Sequence, residues 1–125
     1  MKFSAIKENH LFSKAYSKGK RYVTERLAVY VLPDYCAARL AKAHPEKKRV
    51  NRLGLTVSKK LGGAVERNRT KRILREGYRT AMNERPMKVG FLIVIAAREA
   101  AVNVKAQVIA RDLTRAFSKL GLYES

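Results

Sequence analysis

The stretch Ser58-Lys59-Lys60-Leu61-Gly62-Gly63-Ala64-Val65-Glu66-Arg67-Asn68-Arg69-Thr70-Lys71-Arg72-Ile73-Leu74-Arg75-Glu76 decides how this chain is read. Gly62-Gly63 breaks whatever precedes it, and the residues after it predict a long helix over 64–82. Arg85-Pro86 stops that helix, because the residue before a proline is pushed out of the helical region. At 3.6 residues per turn, with Arg67 at zero, Lys71 falls near ~40°, Arg75 near ~80°, Asn68 near ~100°, Arg79 near ~120° and Arg72 near ~140°. Ile73, Gly77, Thr70, Ala81, Leu74 and Tyr78 take the arc from about 240° round to about 20°. Five cations and an amide therefore share one face, and the face that packs is small or apolar. Arg67, Lys71, Arg75 and Arg79 are like charges at i, i+4, each pair repelling by a few tenths of a kcal/mol. Glu66 and Glu76 point away from this arc and offset little. A phosphate backbone would remove the repulsion and add two-point guanidinium contacts. The helix N-terminus, preceded by the glycine pair, offers free N–H groups to a phosphate as well.

Outward from this helix, the pattern alternates between helices and strands. Residues 7–16 read as a short helix with Ser4 as N-cap, Leu11, Phe12, Ala15 and Tyr16 on one broad side, and Gly19 as a left-handed C-terminal turn. Residues 27–32 are strand-like and end at Pro33-Asp34. Residues 50–58 form a second strand in which Leu53, Leu55 and Val57 alternate cleanly. Residues 90–96 are a continuous apolar run, as expected of a strand covered on both faces. A last helix over 103–120 carries an apolar stripe from Val102 through Ile109, Leu113, Phe117 to Leu120, with Gly121 as its stop. The expected fold class is α+β: one domain over residues 1–125, a two-layer sandwich of one sheet and its helices.

Composition restricts what such a domain does. Its 125 residues suffice for one core, and 46% hydrophobic content excludes disorder by composition. Lys and Arg number 28 against 10 Asp and Glu, a net charge of +18. Small domains usually carry a net charge of only about 2–8 in magnitude, so this excess calls for a polyanion, and nucleic acid is the usual one. Cys36 is the lone cysteine, so no disulfide framework or multi-cysteine zinc site forms within the chain. No apolar run approaches the ~20 residues that span a membrane. Met1-Lys2-Phe3-Ser4 leads into charged residues rather than a signal core, so a cytoplasmic location is expected.

Two further groups bear on function. Phe12 and Tyr16, at i, i+4, are either core side chains or a stacking platform for unpaired bases, with Lys14 and Lys18 nearby for phosphates. His10 and His44 raise the alternative of a protein nuclease working by acid–base catalysis, but nothing in the sequence brings them together. No phosphate loop, metal-ligand cluster or nucleophile motif is present. An RNA-binding module without an enzymatic partner, ribosomal or other, is a further alternative.

Residues 58–76 resemble the signature of the bacterial ribonuclease P protein component: Ser-Lys-Lys, a hydrophobic residue, Gly, a small residue, Ala-Val, then Arg-Asn-Arg-x-Lys-Arg-x-x-Arg-Glu. The likeness extends more weakly along the chain, through Phe12, Tyr16, Lys18-Gly19-Lys20 and the three strand segments. The resemblance implies an α-β-β-β-α-β-α order with a left-handed crossover around the basic helix. It also implies a protein subunit, monomeric when free, that joins a catalytic RNA and assists endonucleolytic removal of the 5′ leader from precursor tRNA. The chemistry would belong to the RNA and its magnesium, with no cofactor held by the protein alone. By position, Lys59, Lys60, Arg67, Asn68, Arg69, Lys71, Arg72 and Arg75 match the RNA-facing motif, and Phe12, Tyr16 and Tyr30 match a central cleft for the single-stranded leader. Two departures stand out. Gly63 replaces the usual Asn, and the connection over 33–49, with Lys47-Lys48-Arg49, is longer than in short members.

Overall fold

A computed structural model describes residues 3–6, 9–34 and 51–124. Cys36, His44, Lys47-Lys48-Arg49 and most of the long connection lie outside the described residues. The elements are β1 (Phe3–Ala5), α1 (Asn9–Lys18), β2 (Lys20–Val23), β3 (Leu27–Pro33), β4 (Asn51–Thr56), α2 (Ala64–Glu84), β5 (Phe91–Ala97) and α3 (Ala106–Lys119), with short 3-10 turns at Lys59–Leu61 and Glu99–Ala101. The strands form one sheet in the order β1-β4-β5-β3-β2. β3 runs antiparallel to β2 and β5, whereas β4 is parallel to β1 and β5. The parallel neighbours β4 and β5 are joined through α2, so the basic helix is the crossover.

Strand side chains alternate, and the two faces of the sheet are used differently. Leu27, Val29 and Val31 of β3, Leu53 of β4, and Ile93 and Ile95 of β5 point to one side, where they meet α2 and α3. Leu74, Tyr78 and Ala81 of α2 and Ile109, Leu113 and Phe117 of α3 close this core. Fully burying an aliphatic or aromatic side chain stabilises by roughly 1.5–3 kcal/mol, and most of those here have no exposure at all. Gly77 lets the two helices touch, because a Cβ there would lie 2.6 Å from Cγ2 of Ile109. Asp112 of α3 accepts from Nη1 of Arg26 at 3.2 Å, tying the β2–β3 turn to this layer.

The opposite face carries a second, smaller core of Leu32, Leu92 and Val94 under Leu11 and Ala15 of α1. The two-layer expectation describes the α2 and α3 side. On the other side, among the described residues, α1 covers part of the sheet. Both faces of β5 are covered, as its unbroken apolar run predicts.

Several local expectations are corrected. Ser4 lies inside β1, paired with Arg52, and is not the cap of α1, which begins at Asn9. Three residues of strand are too short to carry a legible alternation. Residues 20–23, just past the segment read as the first helix, form the edge strand β2. Gly19 is not in the left-handed region. It is small because a Cβ would lie 2.6 Å from the carbonyl oxygen of Ala15 and 3.0 Å from that of Val31. The last helix begins at Ala106 rather than 103, since Asn103 takes a left-handed φ of 66° that a helix cannot contain. Gly121 does end it in the left-handed region, at φ 73°.

Candidate nucleic-acid interface

The basic face of α2 emerges as the helical period demands. Thr70, Leu74, Gly77, Tyr78, Ala81 and Met82 are buried. Asn68, Arg69, Arg72, Arg75 and Arg79 are exposed, while Arg67 and Lys71 are half-buried along one margin. Arg69 projects about 200° from Arg67, outside the shared arc, so it flanks the face rather than joining it. The Nε–H of Arg67 is buried with no acceptor among the described residues. Burying an unsatisfied donor costs about 1–3 kcal/mol.

The start of α2 differs from expectation. Gly63 supplies no side-chain cap, and the first turn contains Glu66. A side chain at Gly63 would meet Oε2 of Glu66 at 3.0 Å, and one at Gly62 would meet its Cβ at 2.9 Å. The carboxylate thus leans back over the helix entrance and already complements its positive dipole end. The phosphate role read into this terminus has a competitor within the chain. Just upstream, Oγ of Ser58 accepts from the backbone N–H of Lys60 at 3.2 Å, which holds exposed Lys59 and Lys60 in a tight turn.

On the other face of the sheet, three aromatic residues separated in sequence come together. Phe12 and Tyr30 both pack on the smaller core. Tyr16 meets Tyr30 edge to face, with centroids 4.8 Å apart and planes at 87°. The hydroxyl of Tyr16 shares a 2.9 Å hydrogen bond with that of Thr56, and the residue stays 42% exposed. Phe12 is a half-buried packing residue, whereas Tyr16 stays partly exposed. Tyr30 faces this cluster. Lys14 and Lys18 project from the other margin of α1, about 120–160° from the aromatic residues on the helical wheel, so the helix does not place them beside the aromatic cluster. Thr56 and Gly54 belong to this site and were not singled out from sequence. The signal was present: Leu53, Leu55 and Val57 point to the main core, which leaves Arg52, Gly54 and Thr56 for the opposite face.

β4 connects the two features. Its Thr56 end lies under Tyr16, and the chain then passes through the 3-10 turn directly into α2. The aromatic cleft and the basic helix are therefore anchored on the same strand. His10 is exposed on α1, with no second histidine among the described residues. No group of three or more His, Cys, Asp or Glu able to hold a metal occurs among the described residues. No helix among them is long and apolar enough to cross a membrane.

A family model described as Ribonuclease P matches residues 1–121. The chain belongs to the ribonuclease P protein family. The ribonuclease P protein component of Clostridium botulinum is 34% identical over 98% of this chain and 99% of its own length. That of Clostridium acetobutylicum is 35% identical over 98% and 92%. Among solved structures, the Staphylococcus aureus RNase P protein superposes with a TM-score of 0.72 at 27% identity, covering 98% of this chain and 100% of that one. The Thermotoga maritima RNase P protein shares the fold, with a TM-score of 0.70 over 93% and 96% at 22% identity. Membership in the ribonuclease P protein family makes the chain one component of a ribonucleoprotein endoribonuclease.

Proposed function

We propose that this chain binds the catalytic RNA of ribonuclease P and the 5′ leader of precursor tRNA, and so assists removal of the leader. The observation that carries the reading is the convergence of Phe12, Tyr16 and Tyr30 on the face of the sheet that α1 partly covers, anchored by the strand that feeds the basic helix. Unpaired bases stack on aromatic rings with little sequence preference, which suits leaders that differ between tRNAs. Duplex RNA offers fewer exposed base faces and is recognised through shape and backbone. Lys59, Lys60, Arg67, Asn68, Lys71, Arg72 and Arg75 take the RNA subunit's phosphates, with Arg69 at their flank. The phosphodiester is cut by the RNA, and magnesium enters with that RNA. The protein works as a monomer in the cytoplasm.

The test is to incubate the pure protein with precursor tRNA, with and without a bacterial ribonuclease P RNA, at low magnesium. Cleavage is expected only with the RNA present, and faster with the protein than without it. Cleavage by RNA-free protein that disappears in His10→Ala would instead mark a protein-borne active site. Tight RNA binding with no effect on cleavage would favour a module without an enzymatic partner.

A further inference from the structure

β4 presents Arg52, Gly54 and Thr56 to the face on which α1 lies. Gly54 sits under Phe12: a Cβ there would lie 2.5 Å from Cε1 and 2.6 Å from Cζ of the ring, and 3.2 Å from Cδ1 of Ile6. Real Cβ atoms do not come so close, so only glycine lets the ring settle at this depth. One same-face step along the strand, Thr56 bonds the hydroxyl of Tyr16. The spacing agrees on both elements. Four residues of helix advance about 6.0 Å, and two residues of strand about 6.4–6.8 Å. Phe12 over Gly54 and Tyr16 over Thr56 are thus two rungs of one ladder.

We infer that Gly54 and Thr56 are positioning residues for leader recognition, an inference that rests on the leader-cleft reading above. Gly54 sets how deep Phe12 lies. Thr56 anchors the hydroxyl end of Tyr16 and so fixes the direction in which the side chain extends, while the perpendicular ring contact with Tyr30 limits rotation about the ring axis, a torsion that is otherwise broad. The hydroxyl bond at one end and the perpendicular ring of Tyr30 hold Tyr16 in one orientation while the residue stays 42% exposed. A base that stacks on a ring already held need not order it, and the affinity saved is the usual gain from preorganisation. Thr56 need not touch the RNA to act.

The experiment uses the full chain assembled with a bacterial ribonuclease P RNA, and compares affinity for leader-bearing precursor tRNA with affinity for mature tRNA. Thr56→Val keeps the shape and removes the hydroxyl; Tyr16→Phe removes the other half of the bond. Each is expected to lower the precursor-to-mature affinity ratio about three- to tenfold, the size of one hydrogen bond's net contribution. The double variant should be no worse than either single one, and Thr56→Ser should restore the ratio. Gly54→Ala should lower it too, by lifting Phe12. Thr56→Val with an unchanged ratio, while Tyr16→Ala loses it, would overturn the positioning role and leave the cleft reading standing. An unchanged ratio in Tyr16→Ala would bring down the cleft reading and this inference with it. Equal weakening for both tRNAs, or a fall in melting temperature matching the loss, would make Thr56 merely structural and also overturn the inference.

Discussion

Arg52 holds Asp34 at two points: its Nε donates to Oδ2 at 2.7 Å and its Nη2 to Oδ1 at 3.0 Å. Asp34 follows β3 and Arg52 lies in β4, and β5 separates these strands in the sheet. The pair therefore clasps the sheet across its central strand, at the two ends of the long connection. Removing one partner of a buried ion pair leaves the other charge without compensation, at a cost of about 3–5 kcal/mol. Asp34→Ala should lose that much stability in urea unfolding, and adding Arg52→Met should recover much of it. A loss below about 0.5 kcal/mol in Asp34→Ala, the range of ordinary surface changes, would show that the clasp contributes little.

The basic face of α2 predicts a salt effect. Affinity for the RNA partner should fall steeply with salt, with each phosphate contact contributing ~0.7–0.9 to the log–log slope. Replacing Arg67, Lys71 and Arg75 with Ala should flatten the slope by roughly two to three units. Binding measured from low to moderate salt checks this. An unchanged slope, in a variant whose circular dichroism matches the parent, would mean that this face is only solvated.

Phe12 and Tyr16 should separate precursor from mature tRNA. Stacking contributes ~1–3 kcal/mol per base, so Phe12→Ala with Tyr16→Ala should weaken leader-bearing tRNA about tenfold or more. The salt slope should hold, since no cation is removed. Part of the Phe12 effect will appear as lost stability, because its ring packs on the smaller core. Tyr16, at 42% exposure, is the cleaner probe. Equal weakening of both tRNAs would remove the pair from the site.

Alkaline stability should depend on two tyrosines. Burial pushes the hydroxyl of Tyr78 well above the ordinary tyrosine value, with the nearby Asn51 side chain drawing it partly back. Burial also raises Tyr123, opposed by a bond to Thr114 and by the charge of Arg85. The fold favours the neutral form of both. Their contribution is therefore intact below the unfolded value of about 10 and is lost as pH rises from there through the raised folded values. Of the six tyrosines, these two should ionise at 295 nm only as the chain unfolds. Early, reversible ionisation of all six with the fold retained would contradict this.

The long helix, its basic arc and its buried arc were legible residue by residue, because helical periodicity is a local property of the backbone. The alternation in β4 and the two-sided burial of β5 were legible for the same reason. The aromatic cleft was legible only in part. Phe12 and Tyr16 share a helix margin, but whether Tyr30 joins them depends on the strand order β4-β5-β3 and on which face α1 covers. Lys14 and Lys18 are near Tyr16 in sequence yet lie on the other margin of the helix. β1 and β2 escaped notice because short edge strands are defined by their partners rather than by their own composition.

What the residues alone determined was chemistry with a period: a cationic helix face, an apolar stripe on the last helix, a +18 domain suited to a polyanion. Tertiary structure decided what depends on apposition. Gly19 is small because two carbonyl oxygens approach it, and Gly54 because a ring from another element rests on it. Thr56 becomes a site residue through a partner forty residues earlier. Such contacts follow from strand register and helix placement, which are set by closing the whole core at once and which no local pattern encodes.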